Sequence, residues 1–218
     1  MWKGSSKVAT LEGHTDWINK IKFNGSGELV ATASADQTCH IWQAATGKLV
    51  KKVMYRRWVN DEITEITSLV WRDEENIITG RSNGKIQQWR VDQDTTCLTL
   101  EGHRGPVWSL AFQSHNHLLA SGSADKKVIL WTLDSFSSSI LHTLDGHKSS
   151  VIEVKFSPTD VHLVATWDTS WELRLWDTSA GICRHIIQCM EVPFAYLLSL
   201  SSNFEWAENA AHMGVFLL

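Results

Sequence analysis

The sequence lacks any apolar run that approaches the roughly 18–20 residues of a membrane-spanning helix. The longest candidate, residues 192–200, is about half that length and contains Pro193 and Ser199. The N-terminal residues 1–10 show neither an apolar signal core nor a myristoylation pattern. Proline is scarce too, with three residues in 218. The sequence therefore predicts a globular protein that does not associate with membranes.

Cysteine is also sparse. The four residues Cys39, Cys97, Cys183 and Cys189 lie far apart in a chain that is long enough to bury a core without disulfides. We therefore expect reduced thiols and a cytoplasmic or nuclear location. Basic charge is not in excess either, since 20 Lys and Arg stand against 24 Asp and Glu, a formal net charge of -4. Nucleic-acid binders that neutralise phosphates are usually basic, so this balance disfavours nucleic-acid partners.

Tryptophan, in contrast, is abundant, with twelve residues. The excess follows from an internal repeat, because Leu-Glu-Gly-His at 11–14 recurs at 100–103 and as Leu-Asp-Gly-His at 144–147. Apolar residues, small residues and a turn follow each copy, which ends in Trp42, Trp131 or Trp176. A weaker copy ends in Trp89, and the four tryptophans are 47, 42 and 45 residues apart. A period of about 40–45 residues with four short strands per unit is typical of a propeller blade.

These units resemble the WD-repeat family of β-propellers over most of the chain, and Trp176-Asp177 keeps the dipeptide that names the family. The resemblance implies an all-β fold with four complete four-stranded blades in residues 1–190. The repeats would span approximately 11–53, 60–99, 100–143 and 144–188, after a remnant of a preceding repeat in 1–10. Residues 191–218 would form a non-repeat tail. We expect part of a larger propeller or an incomplete ring; a five-bladed ring closed by a degenerate last blade is the alternative.

The resemblance also implies a hydrogen-bonded set of His, Ser or Thr, Asp and Trp inside each blade. In the first unit the set would be His14, Thr32 or Ser34, Asp36 and Trp42. In the third unit it would be His103, Ser121 or Ser123, Asp125 and Trp131. The fourth unit keeps His147, Thr166 and Trp176, but Ser170 stands where Asp is expected and Asp168 would be an imperfect substitute. The second unit has Asn83 and Trp89 without the histidine, so we expect a weaker or absent network there.

Neither catalysis nor a metal or other cofactor is predicted. The Asp, His and Ser sets look like hydrolase triads, but one active site does not need several copies, so the recurrence favours a structural role. The sequence contains no nucleophile elbow, phosphate-binding loop or dinucleotide fingerprint. Cys183 with His185, and Cys39 with His40, match no paired zinc pattern and are better explained as packed thiols and strand histidines.

Candidate partner-binding residues come from repeat positions that core packing does not constrain. One aligned column holds Trp17, Glu65, Pro106 and Ser150; a second holds Asn19, Thr67, Trp108 and Ile152; a third holds Ala35, Ser82, Ala124 and Thr169. In WD-repeat propellers such positions line the rim and channel mouth where partners bind. We select Trp17, Asn19, Trp108 and Ile152, with packing between blades as the alternative for both tryptophans.

The only basic cluster, residues 48–57, offers further candidates in Arg56, Arg57 and the adjacent Trp58. These three residues either contact an acidic partner or a phosphate or belong to a guarded outer edge strand, whereas the lysines of the cluster are better explained as guards of that strand.

The resemblance therefore implies a non-enzymatic protein–protein interaction scaffold whose partners are other proteins. One alternative is a substrate-docking subunit of a larger enzyme assembly such as a ubiquitin ligase. An RNA-binding propeller is a third interpretation, which the net charge disfavours. Open blade edges would also allow the chain to associate with itself.

Overall fold

The computed structural model describes residues 9–54, 64–93, 96–134 and 138–188. In this part of the chain, sixteen β-strands form four four-stranded antiparallel sheets, and the strands of each sheet follow one another in chain order. The same residues include no helix, and therefore none long and apolar enough to cross a membrane. The predicted all-β fold with four four-stranded blades is confirmed.

The chain divides into two compact units, Met1–Glu101 and Gly102–Leu218, which contain two blades each. Blade 1 consists of β1 (Ile18–Phe23), β2 (Leu29–Ser34), β3 (Thr38–Gln43) and β4 (Leu49–Met54). Blade 2 consists of β5 (Ile66–Trp71), β6 (Asn76–Arg81), β7 (Ile86–Arg90) and β8 (Thr96–Leu100). Blade 3 consists of β9 (Val107–Gln113), β10 (Leu118–Ser123), β11 (Val128–Leu133) and β12 (Ser138–Leu144). Blade 4 consists of β13 (Val151–Phe156), β14 (Leu163–Asp168), β15 (Glu172–Asp177) and β16 (Ile182–Gln188).

The turn between the second and third strands has the same backbone in every blade. Gln37, Gly84, Lys126 and Trp171 occupy one position, with φ angles of 72°, 87°, 70° and 64°. In each turn the N–H of this residue donates to the carbonyl three residues earlier, at 3.1–3.2 Å. Only glycine adopts a left-handed backbone without cost, so the hydrogen bond and the flanking strands hold the other three residues in it.

Within each unit, the second blade packs on the first through small residues of the second strand. Ala31 and Ala33 of β2 are fully buried in a cluster that includes Ile66 and Leu69 of β5. Cys39 belongs to the same cluster, and its burial raises the pKa of the thiol to about 12. In the second unit, Ala120 of β10 packs in the same way with branched residues of β13. Small side chains let the two sheets approach closely.

Blade 4 departs from this pattern at one position. Ala33, Gly122 and Trp167 hold the same place in their blades. Each is paired with a residue at the start of the third strand, namely Cys39, Val128 and Leu173. Trp167 is 8% exposed and packs with Leu173, Leu175 and Ile187. The face of blade 4 that corresponds to the neighbour-binding face of blades 1 and 3 is thus filled by a large indole of the blade itself.

The first strand of blade 1 also differs from its counterparts. The sequence aligns Ile21 with Val154, yet Ile21 is 55% exposed and Phe23 is 63% exposed, whereas Val154 is 1% exposed. The difference arises because β13 lies against a preceding sheet of its own unit, while no sheet precedes β1 among the described residues of the first unit. On the other side of blade 1, Lys52 lies on the outermost strand, β4, as expected for a guarded edge.

The close approach of β10 and β13 gives a stability test. In Gly122→Ala the new Cβ would lie 2.7 Å from Val151 Cγ1 and 2.9 Å from Val154 Cγ1, so the sheets must shift. We expect a loss of about 1–3 kcal/mol in the free energy of unfolding, measured by chemical denaturation. Ser114→Ala, at an exposed turn, is the control and should change it by about 0.5 kcal/mol or less. Equal midpoints for both variants would contradict this account of blade packing.

Candidate functional site

A buried hydrogen-bonded chain joins four side chains in blade 3. His103 Nδ1 lies 2.9 Å from Asp125 Oδ2, His103 Nε2 lies 2.8 Å from Ser121 Oγ, and Trp131 Nε1 donates to the same Oγ at 2.9 Å. A carboxylate can only accept, so Nδ1 carries the proton; in the neutral ring Nε2 then accepts from the hydroxyl. The chain therefore ties the segment before β9 to β10, to β11 and to the turn between them.

Blades 1 and 4 contain the same chain. His14 Nδ1 lies 2.8 Å from Asp36 Oδ2, and His14 Nε2 lies 2.7 Å from Thr32 Oγ1. Trp42 Nε1 donates to the same Oγ1 at 2.9 Å. The corresponding distances in blade 4 are 2.9 Å from His147 to Asp168, 2.6 Å from His147 to Thr166 and 2.7 Å from Trp176 to Thr166.

For blades 1 and 3 the sequence analysis left open which of two hydroxyl residues belongs to the chain. The structure places Thr32 and Ser121 in the chain. Ser34 and Ser123 instead donate to the carbonyls of Asp16 and Gly105 and accept from the backbone N–H of Asp36 and Asp125. These two serines therefore fix the turn that carries the aspartate.

Asp168 is not the imperfect substitute that the sequence suggested. It lies at the end of β14, at the strand position that Ser34 and Ser123 hold in blades 1 and 3. From there its Oδ2 reaches His147 at 2.9 Å, the same distance as in blade 3. Its Oδ1 accepts from the backbone N–H and the hydroxyl of Ser170, at 2.8 and 2.6 Å. Ser170 therefore does not replace an acid but orients one.

Blade 2 replaces the histidine chain with an arginine. Trp89 still donates to a hydroxyl, that of Thr79, at 3.0 Å. Arg81, which is 1% exposed, donates to Thr64 Oγ1 at 2.9 Å, to the Thr64 carbonyl at 3.0 Å and to Gln87 Oε1 at 2.9 Å. Asn83 has a different role, because its Oδ1 accepts from the backbone N–H of Lys85 in the turn. The weaker network expected for blade 2 is thus reduced to the bond between Trp89 and Thr79, and the sequence analysis did not single out the separate network of Arg81, whose available signal was a charged residue on a strand.

Hydrogen bonds control the charge of the network carboxylates. Burial opposes the ionisation of Asp125, but hydrogen bonds from His103 and from the backbone of Arg104 and Lys127 outweigh it and lower the pKa of Asp125 to about 2. Burial likewise opposes the ionisation of Asp36, and hydrogen bonds from Thr38, Thr15 and His14 hold its pKa well below the ordinary value. Both groups are therefore carboxylates at neutral pH and accept the hydrogen bonds of the turn.

His40 is a buried histidine without hydrogen-bond partners among the described residues. Its ring stacks on His14 with centroids 3.9 Å apart, it is 1% exposed, and neither ring nitrogen has a partner. Burial, together with the positive charges of His14 and Lys52, lowers the pKa of His40 to about 4, although Asp36 opposes the shift. The same strand position holds Ile129 in blade 3, where no charge can arise.

Three buried side chains in blade 4 have the composition of a metal site. The ligand atoms of His147, Asp168 and Glu172 lie within 4.8 Å of one another. Both nitrogens of His147 already have partners, however, and Glu172 Oε1 lies 2.5 Å from Arg174 Nε. The arrangement fits an internal ion-pair network better than a cation site, because the guanidinium occupies the place at which a cation would neutralise the carboxylates.

The first and third aligned columns meet at one end of each blade, which we call the loop end, and the second column lies at the start of the first strand. There the N–H of a residue after the second strand donates to a carbonyl before the first strand. The four bonds run from Ala35 to Trp17, Ser82 to Glu65, Ala124 to Pro106 and Thr169 to Ser150, at 2.9–3.1 Å. The backbone is therefore the same in all blades while the side chains differ.

The candidate residues of the loop end differ in exposure. Trp17 is 82% exposed and does not pack between blades, while Trp108 is 40% exposed. Asn19 is partly engaged, because its amide donates to the Ile66 carbonyl of blade 2 at 2.9 Å. Ile152 packs against the Trp167 cluster. Arg56, Arg57 and Trp58 lie outside the described residues, as do Cys189 and the tail 191–218.

The sequence analysis did not single out Trp171. It lies on the loop end of blade 4, is 43% exposed and touches Trp167 with ring centroids 6.0 Å apart. The available signal was its place in the repeat, since a bulky aromatic stands at the turn position that holds glycine in blade 2.

The comparison with known families agrees with this geometry. The family model "WD domain, G-beta repeat" matches residues 5–43, 94–132 and 138–177, more than half of the chain. The chain belongs to the WD-repeat family, and the unmatched stretch contains most of blade 2, where arginine replaces the histidine.

Several curated proteins are similar to this chain. Apoptotic protease-activating factor 1 of Rattus norvegicus is 30% identical over 179 residues, which cover 80% of this chain and 13% of that protein. Striatin-4 of Mus musculus is 30% identical over 79% of this chain and 25% of its own length. Cell division cycle 20.5, cofactor of APC complex, of Arabidopsis thaliana is 28% identical over 80% of this chain and 38% of its own length. The chain thus spans less than half the length of these relatives.

The histidine chain of blade 3 predicts a measurable cost. His103→Ala removes the partner of both Asp125 and Ser121 in a buried site, so the free energy of unfolding should fall by about 1–3 kcal/mol. His115→Ala, in an exposed turn of the same blade, should cost about 0.5 kcal/mol or less. Chemical denaturation of both variants is the measurement, and a neutral His103→Ala would refute the structural role.

His40 predicts a pH dependence. The folded protein keeps this ring neutral down to about pH 4, whereas the unfolded chain binds the proton near the ordinary pKa of 6.5. The unfolded state therefore binds more protons in this window, and stability falls as the pH is lowered from 6.5 toward 4. The loss should be on the order of 3 kcal/mol and level off at lower pH.

The control for this pH dependence is His40→Ile, which copies the residue of blade 3. The histidines that do not contact His40 contribute equally to both proteins, so the difference between their denaturation midpoints reports His40 together with its effect on His14. Parallel pH profiles for the two proteins would show that His40 is not buried in its neutral form.

Proposed function

We propose that this protein is a non-enzymatic scaffold that binds other proteins through the loop ends of its blades. The observation that carries the proposal is the exposure of Trp17, an aromatic residue that is 82% exposed at the loop end and contributes nothing to the blade core. Exposed aromatic residues at rigid positions are the usual anchors of protein interfaces. The surrounding backbone is held by hydrogen bonds that recur in all four blades. Binding of a partner therefore does not carry the entropy cost of ordering this backbone.

The histidine chains support a scaffold rather than a hydrolase. A catalytic serine must be exposed beside donors that stabilise an oxyanion. The Ser121 hydroxyl is completely buried, and its oxygen accepts the indole N–H of Trp131. The equivalent hydroxyls Thr32 and Thr166 are about 1% exposed and bound in the same way. These hydroxyls hold strands together and cannot reach a substrate.

A second candidate function is substrate docking within a larger enzyme assembly. It is supported by the printed names of two relatives, the Arabidopsis thaliana "cofactor of APC complex" and a Dictyostelium discoideum anaphase-promoting complex subunit, 28% and 24% identical. The two candidates differ in what the protein recovers from cells: ligase subunits indicate docking within such an assembly, and other proteins indicate a general scaffold.

The exposed face of β1 also supports self-association. Ile18, Ile21 and Phe23 are 47%, 55% and 63% exposed on one strand, and exposed apolar strands tend to pair with other chains. This contact would begin next to Trp17 and would change the size of the protein in solution.

Trp17→Ala and Trp108→Ala test the scaffold proposal. If these residues anchor partners, each variant should weaken binding by roughly 2 kcal/mol or more, with little change in melting temperature. Quantitative affinity purification of the tagged chain identifies the partners, titration with a purified partner gives the binding constant, and thermal melting reports the fold.

A loss of stability as large as the loss of binding would instead assign the residue to packing between blades. Retention of every partner by both variants would refute the proposal. Recovery of nucleic acid in a salt-dependent manner would favour the RNA-binding interpretation.

A further inference from the structure

Trp171 is exposed at a position where its own backbone is unfavourable. It lies in the turn between β14 and β15 with a φ of 64°, and 43% of its surface is exposed. A left-handed backbone is costly for a bulky aromatic residue, and blade 2 has a glycine at this place. The turn itself does not require an indole, since Gln37 and Lys126 form the same turn. A bulky residue that the turn does not require and that the backbone disfavours is a candidate for binding.

The indole of Trp171 is held in one orientation. Its ring meets Trp167 edge to face, with centroids 6.0 Å apart and an interplanar angle of 82°. Trp167 is 8% exposed and packed in the blade 4 core, so it gives Trp171 a rigid support. The outer face of an indole fixed in this way can accept an apolar or aromatic side chain without losing side-chain entropy of its own.

A line of contacts connects Trp171 with basic residues of the same unit. The backbone N–H of Arg104 donates to Asp125, which immediately precedes Lys126. Lys127 pairs with Asp145 at 3.2 Å, in the segment that leads to Lys148. The next residue, Ser149, is hydrogen bonded to Thr169, two residues before Trp171. These contacts link the loop ends of blades 3 and 4, which carry the basic residues and Trp171.

This surface is basic although the whole chain is acidic. Arg104, Lys126 and Lys148 are exposed and have no ion-pair partner among the described residues, whereas Lys127 is paired with Asp145. The chain as a whole has a formal net charge of -4. Three cations without ion-pair partners on these two loop ends attract negative charge, and the attraction should weaken with added salt.

We propose that the loop ends of blades 3 and 4 bind a short acidic peptide segment. An apolar or aromatic side chain of the peptide packs on Trp171, and its carboxylates pair with Arg104, Lys126 and Lys148. A peptide fits this surface better than a nucleic acid, because a peptide can space its carboxylates to avoid Asp125 and Asp145, whereas a phosphate backbone carries a negative charge at every nucleotide. The inference rests on the proposed scaffold function and names the class of partner for one of its surfaces.

The binding test uses the full chain and three labelled probes. The first is a peptide that alternates glutamate with phenylalanine, the second has glutamine in place of glutamate, and the third is an oligouridylate of similar length. Fluorescence anisotropy should show roughly tenfold tighter binding of the glutamate peptide than of the glutamine peptide, with affinity falling as salt is raised. Equal affinity for the two peptides, or tighter binding of the oligouridylate, would overturn the proposal.

Two glycine variants provide a matched comparison. Trp171→Gly should weaken binding of the glutamate peptide by roughly tenfold or more. The fold should remain intact, because Gly84 already adopts this turn in blade 2. Gln37→Gly makes the same change at the same turn of blade 1 and should leave binding unchanged. Lys126→Glu should weaken binding and reduce its salt dependence.

Thermal melting of each variant separates binding from folding. Unchanged peptide binding by a folded Trp171→Gly variant would exclude Trp171 as the anchor and overturn the inference. If no probe binds while Trp17→Ala still loses protein partners, the acidic-peptide inference fails and the scaffold function stands. If the peptide binds but neither Trp17→Ala nor Trp108→Ala affects any partner, the scaffold proposal fails at those residues instead.

Discussion

The hydrogen bond from a tryptophan indole to a hydroxyl on the neighbouring strand is a contact between side chains that all four blades share. Trp42, Trp89, Trp131 and Trp176 each donate to a Thr or Ser of the second strand at 2.7–3.0 Å. A buried indole N–H must have an acceptor, so this bond fixes the third strand against the second. Histidine extends it to the loop end in three blades, and Arg81 supplies a separate polar network in blade 2. The blades can therefore vary around the tryptophan without losing their internal order.

The repeat made much of the fold predictable from the sequence. Matched Gly-His and Trp positions indicated four strands per unit, and the structure has four sheets of four. The features that were not predicted depend on contacts in the folded structure, which the spacing of residues along the sequence does not reveal. Asp168 takes the role that a turn aspartate has in blades 1 and 3. It can do so because its side chain reaches His147 from the end of β14. The exposure of Ile21 depends on whether a sheet precedes its blade, and a residue pattern cannot show this.

The sequence indicated which repeat positions lie at the loop ends, but not which of their side chains are exposed. The first and third aligned columns do meet at the loop ends, where equivalent backbone groups are hydrogen bonded in every blade. Whether a side chain there is exposed depends on its neighbours: Trp17 projects into solvent, while the Asn19 amide is taken up by the Ile66 carbonyl. Trp171 escaped notice because the turn chemistry of its position suggests glycine or a polar residue, and a binding residue breaks such local rules.

Trp167 shows that the blades are not interchangeable modules. A recombination event that moved blade 4 into the place of blade 1 would set this indole against Ile66 and Leu69, where Ala33 now leaves room for a close approach. The reverse exchange would leave a hollow where the indole now packs. One residue thus distinguishes blade 4 from blades 1 and 3, whose second strands carry alanine or glycine at this place and accept a neighbouring sheet.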